Sequence, residues 1–180
     1  MKKNQITAIA FAASVLTILC GIALAQQQDK YTVKVPGGLA FSEFRGYENW
    51  SVVATSQSAN LKLVAVILAN PEMIEAYQAG IPGNGKPFPD GSKIVKIEWS
   101  AKKSTESPYF VMVPDTLKSV SFIEKNSKRF RDSGGWGYAQ FHYDAASDTF
   151  TPFGNDAACG YACHTAVKAK DYIFTAYPRR

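Results

Sequence analysis

The stretch "SKIVKIEWS", residues 92–100, carries the pattern that decides the fold of this chain. Its odd positions from 95 to 99 are apolar, whereas its even positions include Lys96 and Glu98. An alternation with a period of two places successive side chains on opposite faces of a β-strand. The stretch therefore predicts a strand with one apolar face, which must pack within a sheet.

Neighbouring strands are predicted by further runs that are rich in β-branched, apolar and aromatic residues. Polar residues, glycine or proline bound each run. The runs are residues 50–56, 61–69, 109–113, 117–124 and 136–144, the last of which is predicted to be the final strand. We expect them to form a mainly antiparallel β-sheet.

Short helices are predicted at the margins of this sheet. Asn70 can accept hydrogen bonds from the first free amides of a helix, Pro71 suits its first turn, and Gly80 ends it. A second short helix is predicted near residues 125–130, ending at Gly134–Gly135, and a third carries two cysteines near the end of the sequence. The predicted fold class is therefore α+β.

The first residues have the composition of a secretory signal peptide. Two lysines precede an apolar run from Ile6 to Leu24, and the run closes on Ala-Leu-Ala before a polar segment. This arrangement predicts cleavage after Ala25. An uncleaved membrane anchor is the alternative, because the run approaches spanning length. We expect residues 1–25 to be a signal peptide, residues 26–180 to form one exported domain, and the mature protein to have no membrane segment.

The mature chain is mildly basic. Cleavage leaves 155 residues and lowers the formal net charge from +5 to +3, because only two lysines are lost. This length suits one domain with a real core. Its basic runs are only pairs, among them Arg179-Arg180, and do not indicate a nucleic-acid partner. Cys20 is lost with the signal peptide, so Cys159 and Cys163 are the only cysteines that remain.

These two cysteines belong to "CGYACH", residues 159–164, which is similar to a c-type haem-attachment motif. In that motif two thiols add to the haem vinyl groups and the following histidine binds the iron. The usual spacing has two residues between the cysteines, whereas three separate Cys159 from Cys163. On a helix both thiols would still lie on one side. The motif predicts covalent haem with His164 as iron ligand, and leaves open whether one or two thioether bonds form.

Two other interpretations of the cysteine pair stay open from the residues alone. An exported pair can oxidise to a disulfide, although a Cys159–Cys163 bond would close a very short loop and constrain the unfolded chain little. A zinc site needs four ligands. Besides the two thiols and His164, the mature chain offers only the distant His142.

The sequence around the motif resembles the cytochrome P-460 and cytochrome c′-beta family. The segment "CHTAVKAKDYIFTAYPRR", residues 163–180, is similar to the carboxy-terminal haem segment of that family. The resemblance continues upstream in order and covers most of residues 41–178. The other segments that carry it are "GYENW", "LVAVILANPEMIEAYQAG", "PFPDGSKIVKIEW" and "KNSKRF" with "SGGWGYAQF".

The resemblance implies a mostly β, homodimeric, periplasmic protein with covalently attached haem c. It also implies His164 as the proximal iron ligand, with the opposite iron face left open by the protein. The residues agree with this, since an electron-transfer haem usually has Met or His as a second ligand. Only Met73, Met112 and His142 could supply one. We expect the two methionines to be core residues and His142 to lie on a solvated strand face.

Two functions follow from the resemblance. The cytochrome c′-beta branch implies binding of small gaseous or nitrogen-oxide ligands, such as nitric oxide and carbon monoxide. The P-460 branch implies hydroxylamine oxidation at a haem that is cross-linked to a lysine and has a carboxylate over the iron. Lys96 stands at the lysine position, which makes it a cofactor-binding candidate. The carboxylate position falls on Ser121, and Glu124 should point to the opposite face.

The missing carboxylate decides which function we expect. Without a positioned base, hydroxylamine oxidation loses an acid–base contribution of about 10²–10⁴-fold. We therefore expect ligand binding and no cross-link to Lys96. A hydroxylamine oxidoreductase is the alternative, and a periplasmic electron carrier with a redox partner comes third.

Overall fold

The computed structural model of the chain describes residues 27–154 and 158–180. The predicted signal peptide, its cleavage site and Cys20 lie outside the described residues. Within the described ranges, none of the helices is long and apolar enough to cross a membrane.

A six-stranded antiparallel sheet forms the body of the protein. Its strands lie side by side in chain order, so each one pairs with the next along the sequence. This confirms the predicted α+β class with a mainly antiparallel sheet. The strands are β1 (Ser51–Ser58), β2 (Leu63–Ala69), β3 (Lys93–Lys103), β4 (Met112–Lys125), β5 (Trp136–Asp144) and β6 (Thr149–Phe153).

Short helices flank the sheet, as predicted. The α-helices are α1 (Pro71–Gln78) and α2 (Ala158–His164). The side chain of Asn70 accepts a hydrogen bond of 3.2 Å from the backbone N–H of Met73, so α1 begins as its sequence predicts. Turns of 3₁₀-helix are Lys30–Thr32, Phe41–Phe44, Tyr47–Asn49, Arg131–Ser133 and Thr165–Lys170. The helix predicted near residues 125–130 does not form there, because Lys125 ends β4 and residues 127–129 are a turn; only the 3₁₀ turn Arg131–Ser133 precedes Gly134.

Two strand predictions are wrong. The runs 109–113 and 117–124 were expected as separate strands, but β4 is one strand that pairs with β3 along its length. The proline at position 114 is tolerated because β5 pairs with β4 only from Ser119 onwards, which leaves the earlier part of β4 with one unpaired edge. Residues 136–144 are not the final strand, because β6 follows. Pro152 weakens the strand pattern there, yet an edge strand accommodates proline.

The sheet is covered on both faces. One face packs against the N-terminal segment, and Val95 of β3 lies there as predicted. The other face packs against α1 and the C-terminal segment, and it includes Ile94. The first core consists of Val35, Leu39, Phe41, Phe44, Tyr47, Leu68, Val95, Val120, Phe122, Phe130, Ala139, Phe141 and Phe150. The second consists of Val53, Ile67, Ala69, Met73, Ala76, Tyr77, Phe88, Ile94, Trp136, Tyr138, Tyr172 and Ile173.

Candidate cofactor site

A cavity of about 740 Å³ lies on the second face of the sheet, between strands β1–β6, helix α2 and the C-terminal segment. This volume falls within the range of about 300–1,000 Å³ that is usual for small-molecule and cofactor sites. Its apolar walls include Ile67, Ile94, Ile123, Ile173 and Phe174. The cavity thus offers a mostly apolar chamber against the sheet.

Helix α2 presents the predicted attachment residues to this cavity. Cys159, Gly160, Cys163 and His164 all line it. Cys159 and Cys163 are four residues apart, as are Gly160 and His164, so each pair occupies neighbouring positions on the helix and the two thiols stay together despite the third intervening residue. Both thiols are free and exposed. Nothing in the described ranges groups three or more His, Cys, Asp or Glu side chains into a metal-binding cluster, so the zinc interpretation gains no support.

Gly160 lets α2 approach the sheet closely. A Cβ atom at this position would lie only 2.5 Å from both Cβ and Cγ of Tyr138 on β5. Real carbon atoms pack at about 3.5–4.0 Å. Position 160 must therefore be glycine for α2 to pack against β5 as it does.

The imidazole of His164 is held by three contacts. Its ring centroid lies 4.8 Å from that of Tyr138 and 4.9 Å from that of Phe174. Its Nδ1–H donates a 2.5 Å hydrogen bond to the backbone carbonyl of Tyr172. Burial lowers the pKa of His164 below its ordinary value, and this outweighs the hydrogen bond to Tyr172. A neutral ring with Nδ1 engaged leaves Nε2 as its free ligating atom.

A row of polar side chains crosses the sheet beneath the cavity. Lys96, Ser121 and Gln140 are direct cross-strand partners on β3, β4 and β5, and all three line the cavity. The Lys96 amine forms an ion pair of 2.8 Å with Glu98, whose other oxygen accepts a 2.9 Å hydrogen bond from the hydroxyl of Ser119. The Lys96 amine therefore already has a carboxylate partner beside the cavity.

The other possible iron ligands are not among the cavity-lining residues that the structure describes, although His142 contacts Phe153, which does line the cavity. Met73 is fully buried in the second core, as predicted. Met112 is only half-buried at the first residue of β4, so its prediction as a core residue is wrong. His142 is exposed, as predicted, and its ring stacks on Phe153 at 4.7 Å. Among the residues described, none of these three ligands lines the cavity.

Glu124 lies on the opposite face from Ser121, as its position predicted. Its carboxylate is 3.7 Å from the Lys93 amine. It therefore supplies no base to the cavity.

Sequence reasoning missed several groups of the site. Glu98 lies two residues after Lys96 on the same strand face, so strand alternation could have identified it as the partner of Lys96. Gln140 could have been found in the same way, opposite Ser121, once the strand register was known. The sequence could not identify the Tyr172 carbonyl as the partner of His164, because every residue type carries the same backbone group.

The residues present fit a haem. Two free thiols and one imidazole with a free nitrogen line the same apolar chamber, which is the donor set that thioether attachment and axial ligation require. Cys159, Cys163 and His164 would hold the group.

Comparison with known proteins agrees with this chemistry. The sequence model of the Cytochrome P460 family matches residues 44–175, which include His164 and both cysteines. No curated protein matches the chain. Since the match covers most of the chain, the protein belongs to the cytochrome P460 family and is a haem-containing cytochrome.

Proposed function

We propose that the protein is an exported c-type cytochrome that binds small gaseous or nitrogen-oxide ligands at an open iron position. One observation carries this proposal: His164 lines the cavity, whereas Met73, Met112 and His142 lie elsewhere among the described residues. A haem with one protein ligand keeps one axial position for an external molecule. Nitric oxide and carbon monoxide are the ligands we expect.

Each part of the site has a proposed role. Cys159 and Cys163 would form thioethers to the haem vinyl groups, and His164 Nε2 would bind the iron. Haem held by these residues would supply an iron that can bind a diatomic ligand. The isoleucine and phenylalanine walls give the chamber a largely apolar lining. Ser121 and Gln140 provide hydrogen-bonding groups on its floor.

Covalent attachment is tested by extraction. Denatured wild-type protein should keep its haem through acid–acetone treatment, and Cys163→Ala should largely lose it. Quantitative release from the wild type would refute the c-type assignment. A pyridine haemochrome spectrum then counts thioethers, because a singly attached haem absorbs to the red of a doubly attached one.

The open iron position is tested by ligand binding. The ferrous protein should bind carbon monoxide without displacing a methionine or histidine. Met112→Ala and His142→Ala serve as matched controls, and both should leave the resting spectrum unchanged. A low-spin resting spectrum that becomes high-spin in either variant would support an electron carrier instead.

Hydroxylamine oxidation is the second candidate, because Lys96 lines the cavity at the position where related enzymes bond a lysine to haem. Two features weigh against it: position 121 is serine, and the Lys96 amine is paired with Glu98. We expect an ordinary ferrous c-type spectrum, no hydroxylamine turnover and little spectral change in Lys96→Ala. A red-shifted Soret band that disappears in Lys96→Ala would favour the enzyme, and Ser121→Glu should then raise turnover.

The location and assembly of the protein are also proposals. We infer export to the periplasm after cleavage behind Ala25, which N-terminal sequencing of the mature protein tests. Residues 26–180 would then form the haem domain, and the protein would be a homodimer, which light scattering tests. A periplasmic electron-transfer partner would exchange electrons with the haem, whereas the mild charge gives no reason to expect nucleic acid or membrane as partners.

A further inference from the structure

A buried ion pair lies behind the proposed iron ligand. The Lys125 amine, at the end of β4, is 2.8 Å and 3.1 Å from the two carboxylate oxygens of Asp171. Both side chains are largely buried. The amine also donates a 3.1 Å hydrogen bond to the Gly134 carbonyl and lies 4.9 Å from the Trp136 ring centroid. The Asp171 carboxylate accepts a further 2.8 Å hydrogen bond from the backbone N–H of Phe88.

This pair fixes an unusual turn. Asp171 and Tyr172 have φ angles of 48° and 65°, so two consecutive residues with side chains occupy the left-handed region. That region is unfavourable for residues other than glycine, and it persists only where surrounding contacts impose it. Here the ion pair holds Asp171, and close packing on Gly134 holds the ring of Tyr172. A Cβ at position 134 would lie 2.4 Å from that ring.

The turn aims one backbone group at the proposed iron ligand. Tyr172 directly follows Asp171 in the sequence, and its backbone carbonyl accepts the 2.5 Å hydrogen bond from Nδ1–H of His164. This bond sets the ring orientation and makes the imidazole a stronger electron donor. We propose that Lys125 and Asp171 are positioning residues for His164, acting through the Tyr172 carbonyl.

The chemistry of the pair supports a positioning role over a purely stabilising one. A buried ion pair often contributes no more to stability than apolar residues of the same volume would. Its contacts are directional, however, and here they tie β4, the loop before Phe88 and the turn at position 171 to one point. This inference rests on the proposed role of His164 as iron ligand.

The test uses the haem-loaded protein and a double variant. Lys125→Met with Asp171→Asn removes both charges together, so no unpaired charge stays buried, and asparagine tolerates the left-handed region. Its matched control is Arg129→Met with Glu43→Gln, which removes an ion pair on the opposite side of the sheet. Circular dichroism and thermal unfolding should first show that both variants fold.

Two readouts report on His164 directly. In the ferrous protein, the iron–histidine stretching band in the resonance Raman spectrum should move to lower frequency in Lys125→Met/Asp171→Asn, and the midpoint potential should rise. Both follow because a weaker bond to Nδ1 makes the imidazole a poorer donor. The control should keep the wild-type band and potential.

Different results would refute the positioning role of the ion pair and the proposed role of His164 as iron ligand. A wild-type band in the folded Lys125→Met/Asp171→Asn variant, or an equal shift in the control, would refute the positioning role. Survival of the band in His164→Gly would instead refute the proposed iron ligand itself.

Discussion

Gly160 provides the sharpest test of how helix α2 carries the attachment residues. Gly160→Ala would place a methyl group 2.5 Å from Cβ and Cγ of Tyr138. Carbon atoms need about 3.5 Å. The helix must therefore retreat from β5 by about 1 Å, because Cβ of Tyr138 is fixed to the strand and cannot rotate away.

Two opposing effects set the size of the change. Alanine is a better helix former than glycine by about 1 kcal/mol. Overpacking of a tight contact costs about 1–3 kcal/mol, and two contacts at 2.5 Å belong at the upper end of that range. We expect Gly160→Ala to lower the free energy of unfolding by about 2 kcal/mol. For a domain of this size, that corresponds to a fall in Tm of about 4–8 °C.

The assay combines thermal unfolding with haem staining of denatured protein. Haem attachment should fall because the retreat of α2 displaces Cys159 and Cys163 from the cavity wall. Ala162→Gly is the matched control: it lies on the same helix, is exposed, and lowers helix propensity by about 1 kcal/mol without changing the contact with β5. It should lose some stability but keep its haem. A Gly160→Ala protein with wild-type stability and full attachment would refute the reasoning.

Three further predictions concern single side chains. Asn70→Ala should cost about 1–2 kcal/mol in chemical unfolding, because it removes the cap of α1 and the acceptor of a 2.9 Å hydrogen bond from Lys93 N–H. Asn70→Asp keeps both acceptor roles but loses the amide donor to the Gly91 carbonyl and sets a second carboxylate against Glu72, so it should also be destabilised; wild-type stability of Asn70→Ala would contradict this. Burial raises the pKa of Glu124, so its neutral form stabilises the fold at low pH and this contribution is lost as pH rises through the folded pKa. Glu124→Gln should therefore raise Tm at about pH 7 and have little effect at about pH 3.5; an equal effect at both would contradict this. The buried Tyr138 hydroxyl has no hydrogen-bond partner in the described part of the chain, so Tyr138→Phe should stabilise the haem-free protein by about 1 kcal/mol, and a fall in its Tm would contradict this.

Local sequence patterns predicted much of the fold, because each depends on neighbours a few residues away. Alternation in residues 92–100 places Val95 and Ile94 on opposite faces of β3; the face with Val95 is buried as predicted, whereas burial of Ile94 on the other face was not predicted. The start of α1 depends on Asn70 and Pro71 alone, and was therefore predictable. The continuity of β4 was not, because pairing with β3 overrides the proline within it.

The candidate site likewise has a part that local sequence predicts and a part that depends on the folded structure. Cys159 and Cys163 share a helix face by their four-residue spacing and His164 directly follows Cys163, so the sequence brings the three close together before any tertiary contact forms. The Lys125–Asp171 pair joins residues 46 positions apart, and only the folded sheet brings them into contact. No residue pattern reports such a contact.

The register of the sheet explains why the cavity lies where it does. On the second face, one cross-strand row is apolar and lies partly under α1 and α2: Ala69, Ile94, Ile123 and Tyr138. Two residues along each strand, the next row on the same face is polar apart from its first member: Ile67, Lys96, Ser121 and Gln140. The change from apolar groups, three of which also line the cavity, to half-exposed polar groups thus occurs across a single step of about 7 Å. A haem needs apolar walls, and a polar diatomic ligand needs hydrogen-bonding groups beside it, so this step supplies both requirements from the same strands. Serine in this row is small and offers a hydroxyl in place of a base, which is the feature on which the proposal of ligand binding over substrate oxidation depends.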